Sequence, residues 1–109
     1  MVKIGLADNH PVVHFGIKSY FKEHADISLV GIVDNFEMVE EMLKRKEIDV
    51  LLLDLELEGL SSINLIKALL KDFPKVKIVL FSNHDYLHKT TIIHHQGMEM
   101  KLIRMLLIS

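Results

Sequence analysis

Short apolar runs rich in branched residues alternate with segments of helical periodicity along this chain of 109 residues. Such alternation predicts a parallel sheet with helices on both of its faces. Right-handed crossovers then make it an open doubly wound α/β sheet. The predicted strands are residues 2–7, 27–33, 48–53, 76–81 and, more weakly, 100–103. The predicted helices begin at Pro11, at residue 36, at Ser61 or Ser62, and at Asp85.

The end of the chain distinguishes it from a complete fold of this kind. After the helix predicted to end near Gln96 and the fifth strand, an apolar tail runs to Ser109 with no room for a fifth helix. We therefore expect residues 1–109 to form a single domain that is truncated at its C-terminal end. Exposed apolar surface of this kind marks interfaces, so we expect self-association through this end, as a homodimer.

Composition excludes several classes of function. Charged residues make up 26% of the chain with a net charge of −2, and no basic block stands out, which argues against direct binding of nucleic acid. There is no cysteine for a disulfide or a thiolate metal site. The N-terminus lacks the pattern of a signal peptide, and no apolar run approaches the length of a membrane span. We expect a cytoplasmic protein without membrane contact.

Polar side chains follow three of the predicted strands. Asp8 and Asn9 follow the first strand, Asp54 the third, and Ser82 and Asn83 the fourth. Ligands of such sheets bind beyond the carboxyl ends of the strands, so these groups are expected in one cleft. Carboxylate and amide oxygens suit Mg²⁺, and Asp54 is placed to act as a carboxylate nucleophile towards a phosphoryl group. Alternatively, each residue serves only as a turn or helix cap.

The residues of this cleft resemble those of a known family. The run LADNHP at 6–11, the segment VLLLDLELEG at 50–59 and the run VLFS at 79–82 are similar to the opening, the phosphoacceptor strand and the fourth strand of response regulator receiver domains. The resemblance is to the receivers of LuxR/NarL-type transcriptional regulators, and it extends over residues 2 to about 104. It implies a flavodoxin-like fold with a five-stranded parallel sheet.

The resemblance also implies a function. Asp54 would accept a phosphoryl group from a sensor histidine kinase, and Asp8, Asn9, Asp54 and the backbone carbonyl of Glu56 would surround Mg²⁺. Ser82 would bind the phosphoryl group. The domain would then shift between two conformations to control transcription, with DNA bound only through a C-terminal domain absent from this chain. Apart from catalysing its own phosphorylation and dephosphorylation, such a domain is not an enzyme.

Four positions depart from the family pattern. Asn9 stands where a second acidic residue is usual, which removes one negative charge from the metal site, and Glu58 replaces a proline. Arg104 falls where a lysine usually pairs with the phosphoryl group, and its fork has a different geometry. Lys101 replaces the aromatic residue that usually switches. These departures favour a second hypothesis, a pseudo-receiver that acts as a phosphorylation-independent interaction or dimerisation module.

Two further hypotheses have less support in the residues. A small α/β phosphatase or flavin-binding protein would need a glycine-rich phosphate loop or a catalytic Cys or His constellation, and none is evident. His84 and His88 have the i, i+4 spacing of a helical zinc pair, but no third ligand is evident. His10, in the acidic loop, is expected to cap a helix or pack against it.

Overall fold

A computed structural model describes residues 1–81, 89–93 and 100–104 of the chain. Strands and helices alternate through the first 81 residues, as the apolar runs predict. In chain order the elements are β1 (Val2–Ala7), α1 (Pro11–Lys22), β2 (Ile27–Val33), α2 (Glu37–Arg45), β3 (Val50–Asp54), α3 (Ile63–Asp72), β4 (Lys77–Phe81), β5 (Lys89–Ile93) and β6 (Met100–Arg104).

The strands form one sheet in the order β2-β1-β3-β4-β5-β6. The first four run parallel to one another, whereas β5 is antiparallel to both of its neighbours. The β1–β3 pair aligns Ala7 with Leu53, and the β3–β4 pair aligns Asp54 with Phe81. The carboxyl ends of β1, β3 and β4 therefore meet at one edge of the sheet.

Apolar side chains of successive strand residues are buried on opposite faces of the sheet. Leu51 and Leu53 belong to a core that includes side chains of α2 and α3, while Leu52 and Phe81 lie in a smaller core against α1. This is why the parallel strands read as continuous apolar runs: both of their faces are covered. Between them the two cores bury Ile4, Leu6, Ala7, Val39, Met42, Leu43, Ile48, Leu51, Leu52, Leu53, Leu57, Ile66, Leu69, Leu70, Val76, Ile78, Leu80 and Phe81.

The predicted five-stranded parallel sheet is correct only for its first four strands. The helix predicted from residue 85 to residue 96 is wrong at its centre, because Lys89–Ile93 forms β5. Residues 90–93 are all β-branched, and side chains of this type lose rotamer freedom in a helix and fit a pleated sheet. The extra strand gives a sheet of six, in which the predicted last strand, observed as Met100–Arg104, pairs with β5.

The starts of two helices agree with the sequence, whereas several other predicted features lie outside the described residues. Pro11 begins α1 as predicted, and Ser62 occupies the capping position of α3, although its side chain makes no capping hydrogen bond. Residues 105–109, which include most of the apolar tail, lie outside the described residues, as do His84 and His88. Among the helices that are described, none combines the length and the apolar character that crossing a membrane requires.

Two glycines give a matched test of the backbone. Gly59 has φ +90°, and an added Cβ would lie 3.3 Å from Phe36 Cβ, whereas a Cβ on Gly16 in α1 would meet nothing within 4 Å. We expect Gly59→Ala to cost about 1–2 kcal/mol, since L-residues are strained at positive φ. Gly16→Ala should instead stabilise the chain by about 0.5–1 kcal/mol, because alanine favours helix. Thermal unfolding monitored by circular dichroism measures both, and equal shifts for the two variants would contradict the fold.

Candidate functional site

Two carboxylates lie side by side at the edge where the parallel strands end. Asp8 directly follows β1, and Asp54 is the last residue of β3. Because Ala7 and Leu53 are paired in the parallel register, the next residue of each chain segment falls next to the other. Both side chains are completely buried. The sheet therefore brings together the two acidic residues that the sequence placed in one cleft.

The loop between β1 and α1 adds an imidazole to this pair. The main-chain N–H of His10 donates to Asp8 Oδ1 at 2.8 Å, and the His10 ring Nδ1 lies 2.6 Å from the same oxygen. The same Nδ1 lies 3.5 Å from Asp54 Oδ2. The His10 side chain is 45% exposed, so it forms the solvent side of the site over two buried carboxylates.

The loop after β3 fixes the Asp54 carboxylate. The main-chain N–H of Glu56 donates to Asp54 Oδ1 at 3.0 Å, and the N–H of Leu57 donates to the carbonyl of Asp54 at 3.1 Å. The N–H of Leu55 donates to the carbonyl of Phe81 at 2.8 Å, which joins this loop to the end of β4. A tight turn of this kind holds the carboxylate in one orientation.

Burial, hydrogen bonds and neighbouring charges raise the pKa values of two groups in the site, Asp54 and His10. Loss of solvent raises the pKa of Asp54 above its ordinary value; the N–H of Glu56 opposes this shift, and the negative charge of Asp8 adds to it. The hydrogen bond to Asp8 raises the pKa of His10, and the charges of Asp8 and Asp54 act in the same direction. The pair of carboxylates therefore favours a positive charge close by.

One buried oxygen indicates what kind of charge fits. Among the described residues, Asp8 Oδ2 is buried and has no hydrogen-bond partner. A buried acceptor without a partner is costly, so a cation at this oxygen would stabilise the site. Asp8, His10 and Asp54 each offer a ligand atom, and these atoms all lie within 4.8 Å of one another. The residues present fit a divalent cation such as Mg²⁺.

The other predicted site residues are exposed, contribute through the main chain, or lie outside the described residues. Asn9 is exposed next to Asp8, and Glu56 contributes its main-chain N–H to Asp54, but the structure tests neither as a metal ligand. Glu58 is exposed, and its carbonyl accepts a hydrogen bond from the N–H of Phe36, which ties the site loop to the start of α2. Ser82 and Asn83 follow Phe81 in the sequence and lie outside the described residues.

Arg104 lies at the same edge of the sheet as Asp54, but on β6, three strands away from β3. Its backbone pairs with Lys89 of β5, and because β5 is antiparallel to both neighbours, β6 runs in the direction of β4. Arg104 therefore ends its strand at the edge where β4 ends. With β4 and β5 between them, the backbones of β3 and β6 are ~14 Å apart at ordinary strand spacing. The predicted pairing of Arg104 with a phosphoryl group stays a prediction.

Sequence reasoning missed the role of His10. We expected this residue to cap or pack; it occupies the capping position of α1 but makes no side-chain capping bond, and its ring contacts the carboxylates instead. His14, one helical turn later, contacts the main-chain carbonyl of Asp8 through Nε2. The spacing of Asp8, His10 and His14 was the available signal: His10 and His14 are two and six residues after Asp8, at the start of α1, and both contact Asp8.

Comparison with known proteins gives the same picture. The chain matches the family described as "Response regulator receiver domain" over residues 4–103. It is 32% identical over 82 residues to the nitrate/nitrite response regulator protein NarL of Escherichia coli, covering 73% of this chain and 38% of NarL. It is 26% identical over 83 residues to the response regulator protein VraR of Staphylococcus saprophyticus, covering 76% of this chain and 40% of VraR. The chain thus spans about two-fifths of the length of these relatives.

Solved structures of the response regulator RcsB also match. The non-phosphorylated receiver domain of RcsB from Escherichia coli superimposes with a TM-score of 0.71 at 26% identity, covering 77% of this chain and 66% of that one. A structure described as two RcsB dimers bound to two parallel DNAs has a TM-score of 0.69 at 27% identity and covers 77% of this chain and 47% of that one. The flavodoxin-like parallel sheet and the family resemblance are therefore confirmed, and the chain belongs to the response regulator receiver domains, with relatives of the LuxR/NarL type.

Proposed function

We propose that this chain accepts a phosphoryl group on Asp54 from a sensor histidine kinase and changes conformation to control a transcriptional output. The observation that supports this most strongly is the adjacency of two fully buried carboxylates, Asp8 and Asp54, at the carboxyl edge of a parallel sheet. A buried carboxylate that is held in one orientation and is short of solvent is a good nucleophile. The matching family links this geometry to phosphorelay signalling.

The chemistry divides between the two carboxylates. In the proposed reaction an Asp54 oxygen attacks phosphorus, the phosphorus–nitrogen bond to the kinase histidine breaks, and an acyl phosphate forms on Asp54. The N–H of Glu56 positions the attacking carboxylate. Asp8, with its unpartnered Oδ2, would hold Mg²⁺ together with Asp54, Asn9 and the carbonyl of Glu56. When bound, this ion would neutralise charge on the phosphoryl oxygens.

The remaining parts of the proposal concern the longer protein and its setting. We propose that Ser82 and Arg104 contact the phosphoryl group, and that DNA is bound only through a C-terminal domain outside this chain. The greater length of NarL and VraR and the DNA-bound RcsB dimers support this proposal. We further propose that residues 1–109 form one domain that works in the cytoplasm.

A second candidate function is a phosphorylation-independent dimerisation module. The observation that favours it is the exposure of α1, since no residue of this helix is fully buried. Val12 and Phe15 on this helix are each 73% exposed, and Tyr20 is 50% exposed. Exposed apolar side chains grouped on one helix mark a contact surface. The two candidates share the fold and differ in whether Asp54 must be modified.

The intact mass of the chain tests whether Asp54 accepts a phosphoryl group. We expect incubation with acetyl phosphate and Mg²⁺ to add one phosphoryl group to the intact chain, because Asp54 is buried beside a cation site. Asp54→Ala should abolish this gain completely, whereas Asp72→Ala, which removes an exposed carboxylate at the end of α3, should leave it intact. Intact-mass spectrometry measures the product. An unmodified native chain, or a gain that persists in Asp54→Ala, would refute the first candidate.

Burial of Asp54 also predicts a pH-dependent stability. The pKa of Asp54 is raised in the folded chain, so the unfolded chain ionises this group more readily. Stability is therefore lost as the pH rises from the ordinary aspartate pKa through the raised one. We expect Asp54→Asn to raise the thermal midpoint by a few degrees at pH 7 in EDTA. The difference should vanish at acid pH, below the ordinary aspartate pKa.

Thermal unfolding at the two pH values measures this effect. Asp72→Asn is the matched control, because its carboxylate is exposed and should give no comparable gain at pH 7. A stabilisation by Asp54→Asn of the same size at both pH values would show that ionisation of the buried carboxylate is not its cause.

Dimerisation is tested on α1. If its exposed apolar surface joins two copies, Phe15→Ser should shift the chain towards monomer by at least tenfold in dissociation constant, since aromatic residues dominate such contacts. Met38→Ser, which alters an exposed side chain of α2 on the opposite face of the sheet, is the control. Sedimentation equilibrium measures the association. A native chain that is monomeric at high concentration would exclude the second candidate in its dimeric form.

A further inference from the structure

We propose that His10 is a direct metal ligand, so that the site binds late first-row divalent metals such as Co²⁺ in preference to Mg²⁺. The inference deepens the proposed function, because it uses the same carboxylates, Asp8 and Asp54. It concerns which ion they hold and not whether Asp54 is phosphorylated.

The three donor atoms are already spaced as ligands of one ion. His10 Nδ1 lies 2.6 Å from Asp8 Oδ1 and 3.5 Å from Asp54 Oδ2. Two ligands bound to a metal at ~2.1 Å and at right angles to each other are about 3 Å apart. The observed distances lie on either side of this value. Small shifts of the His10 ring would therefore let one ion replace the direct imidazole–carboxylate contacts.

A buried oxygen supplies the second observation. Among the described residues, Asp8 Oδ2 is buried without a hydrogen-bond partner, although Asp8 Oδ1 accepts from the main chain of His10. The carboxylate therefore has one oxygen engaged by the loop and one oxygen short of a partner. A cation that reached Asp8 Oδ2 would remove this deficit, and Asp8, Asp54 and His10 each offer a ligand atom within 4.8 Å of the other two.

The donor set determines the class of metal. Mg²⁺ prefers oxygen ligands and keeps several waters, whereas an imidazole nitrogen favours Co²⁺, Ni²⁺, Cu²⁺ and Zn²⁺. Asn9, which stands where a second carboxylate would favour Mg²⁺, is exposed. A site built from two carboxylates and one imidazole has the ligand composition of a transition-metal centre. The loop after β1 therefore offers one carboxylate, from Asp8, and one imidazole, from His10.

Orientation of the loop supports the same assignment. His10 is the residue before Pro11, which begins α1, and its main-chain N–H is bonded to Asp8 Oδ1. His14 contacts the main-chain carbonyl of Asp8 from the next turn of the helix. The backbone that carries both ligands is therefore held at two points. In metal sites, hydrogen bonds that hold the ligand residues in place are typical, and they contribute to the affinity for the metal.

The test uses Mn²⁺ as a spectroscopic probe of the whole chain. Bound Mn²⁺ coordinated by His10 should show nitrogen modulation in electron spin-echo spectra, and His10→Ala should remove it. The chain has seven histidines, so His24→Ala is the matched control. His24 stacks on Tyr20 just beyond the far end of α1, and this variant should keep the modulation. Asp8→Asn should weaken Mn²⁺ binding itself.

Displacement of bound Mn²⁺ by other metals measures whether the site prefers Co²⁺ to Mg²⁺. In the native chain Co²⁺ should displace bound Mn²⁺ at a concentration at least tenfold lower than Mg²⁺ does. In His10→Ala this ratio should fall by about tenfold, since loss of a nitrogen ligand weakens Co²⁺ binding more than Mg²⁺ binding. If His10→Ala does not fold, His10→Asn replaces it, because an amide keeps a polar partner for Asp8 while supplying an oxygen.

Each outcome is decisive. Nitrogen modulation that is lost only in the His10 variant, together with the fall in the Co²⁺ to Mg²⁺ ratio, supports the inference. Mn²⁺ binding that depends on Asp8 but lacks nitrogen modulation overturns it and leaves the proposed function standing. An unchanged ratio in the His10 variant overturns it in the same way. Absence of any Asp8-dependent Mn²⁺ binding overturns both the inference and the metal site of the proposed function.

Discussion

The parallel pairing of β1 with β3 determines the site, because it places Asp8 beside Asp54 with both side chains buried. Loss of solvent raises the pKa of Asp54, and repulsion by the nearby negative charge of Asp8 adds to this cost. Main-chain N–H groups of His10 and Glu56 and the ring of His10 offset part of it. The same pair of negative charges that costs stability favours a cation beside it, and the proposed function assigns to that cation the neutralisation of the phosphoryl oxygens.

A costly site of this kind persists only where the surrounding structure holds it in place. The strand that carries Asp54 is among the most buried parts of the chain, since Leu51 and Leu53 lie in one core and Leu52 in the other. The loop that follows is bonded to two other elements, through Leu55 to the end of β4 and through the carbonyl of Glu58 to Phe36. Burial of apolar surface therefore maintains the strained pair.

The sequence predicted the parts of this structure that depend on periodicity. Apolar runs placed the strands β1 to β4, and the rule that parallel strands end together placed Asp8 beside Asp54. The sequence-based prediction was wrong at residues 89–93. A helix was predicted there, whereas the β-branched run forms β5. It also missed the contacts of His10, because a ring that returns to a strand end depends on the path of a loop, which apolar spacing does not encode. Periodicity reports burial, and loops are specified by individual hydrogen bonds.

Departures from the family pattern affect the two halves of the site differently. In the proposed function the nucleophile depends on Asp54, on its burial and on the N–H of Glu56, and none of these involves the side chain at position 9. The choice of cation depends instead on the loop after β1, where Asn9 stands in place of an acidic residue and His10 places its ring beside both carboxylates. Exchange of a carboxylate for Asn9 is therefore not in itself a loss of phosphorylation chemistry. Because ligand type selects the metal, the two proposals are independent: Asp54 could accept a phosphoryl group whichever divalent ion the loop selects.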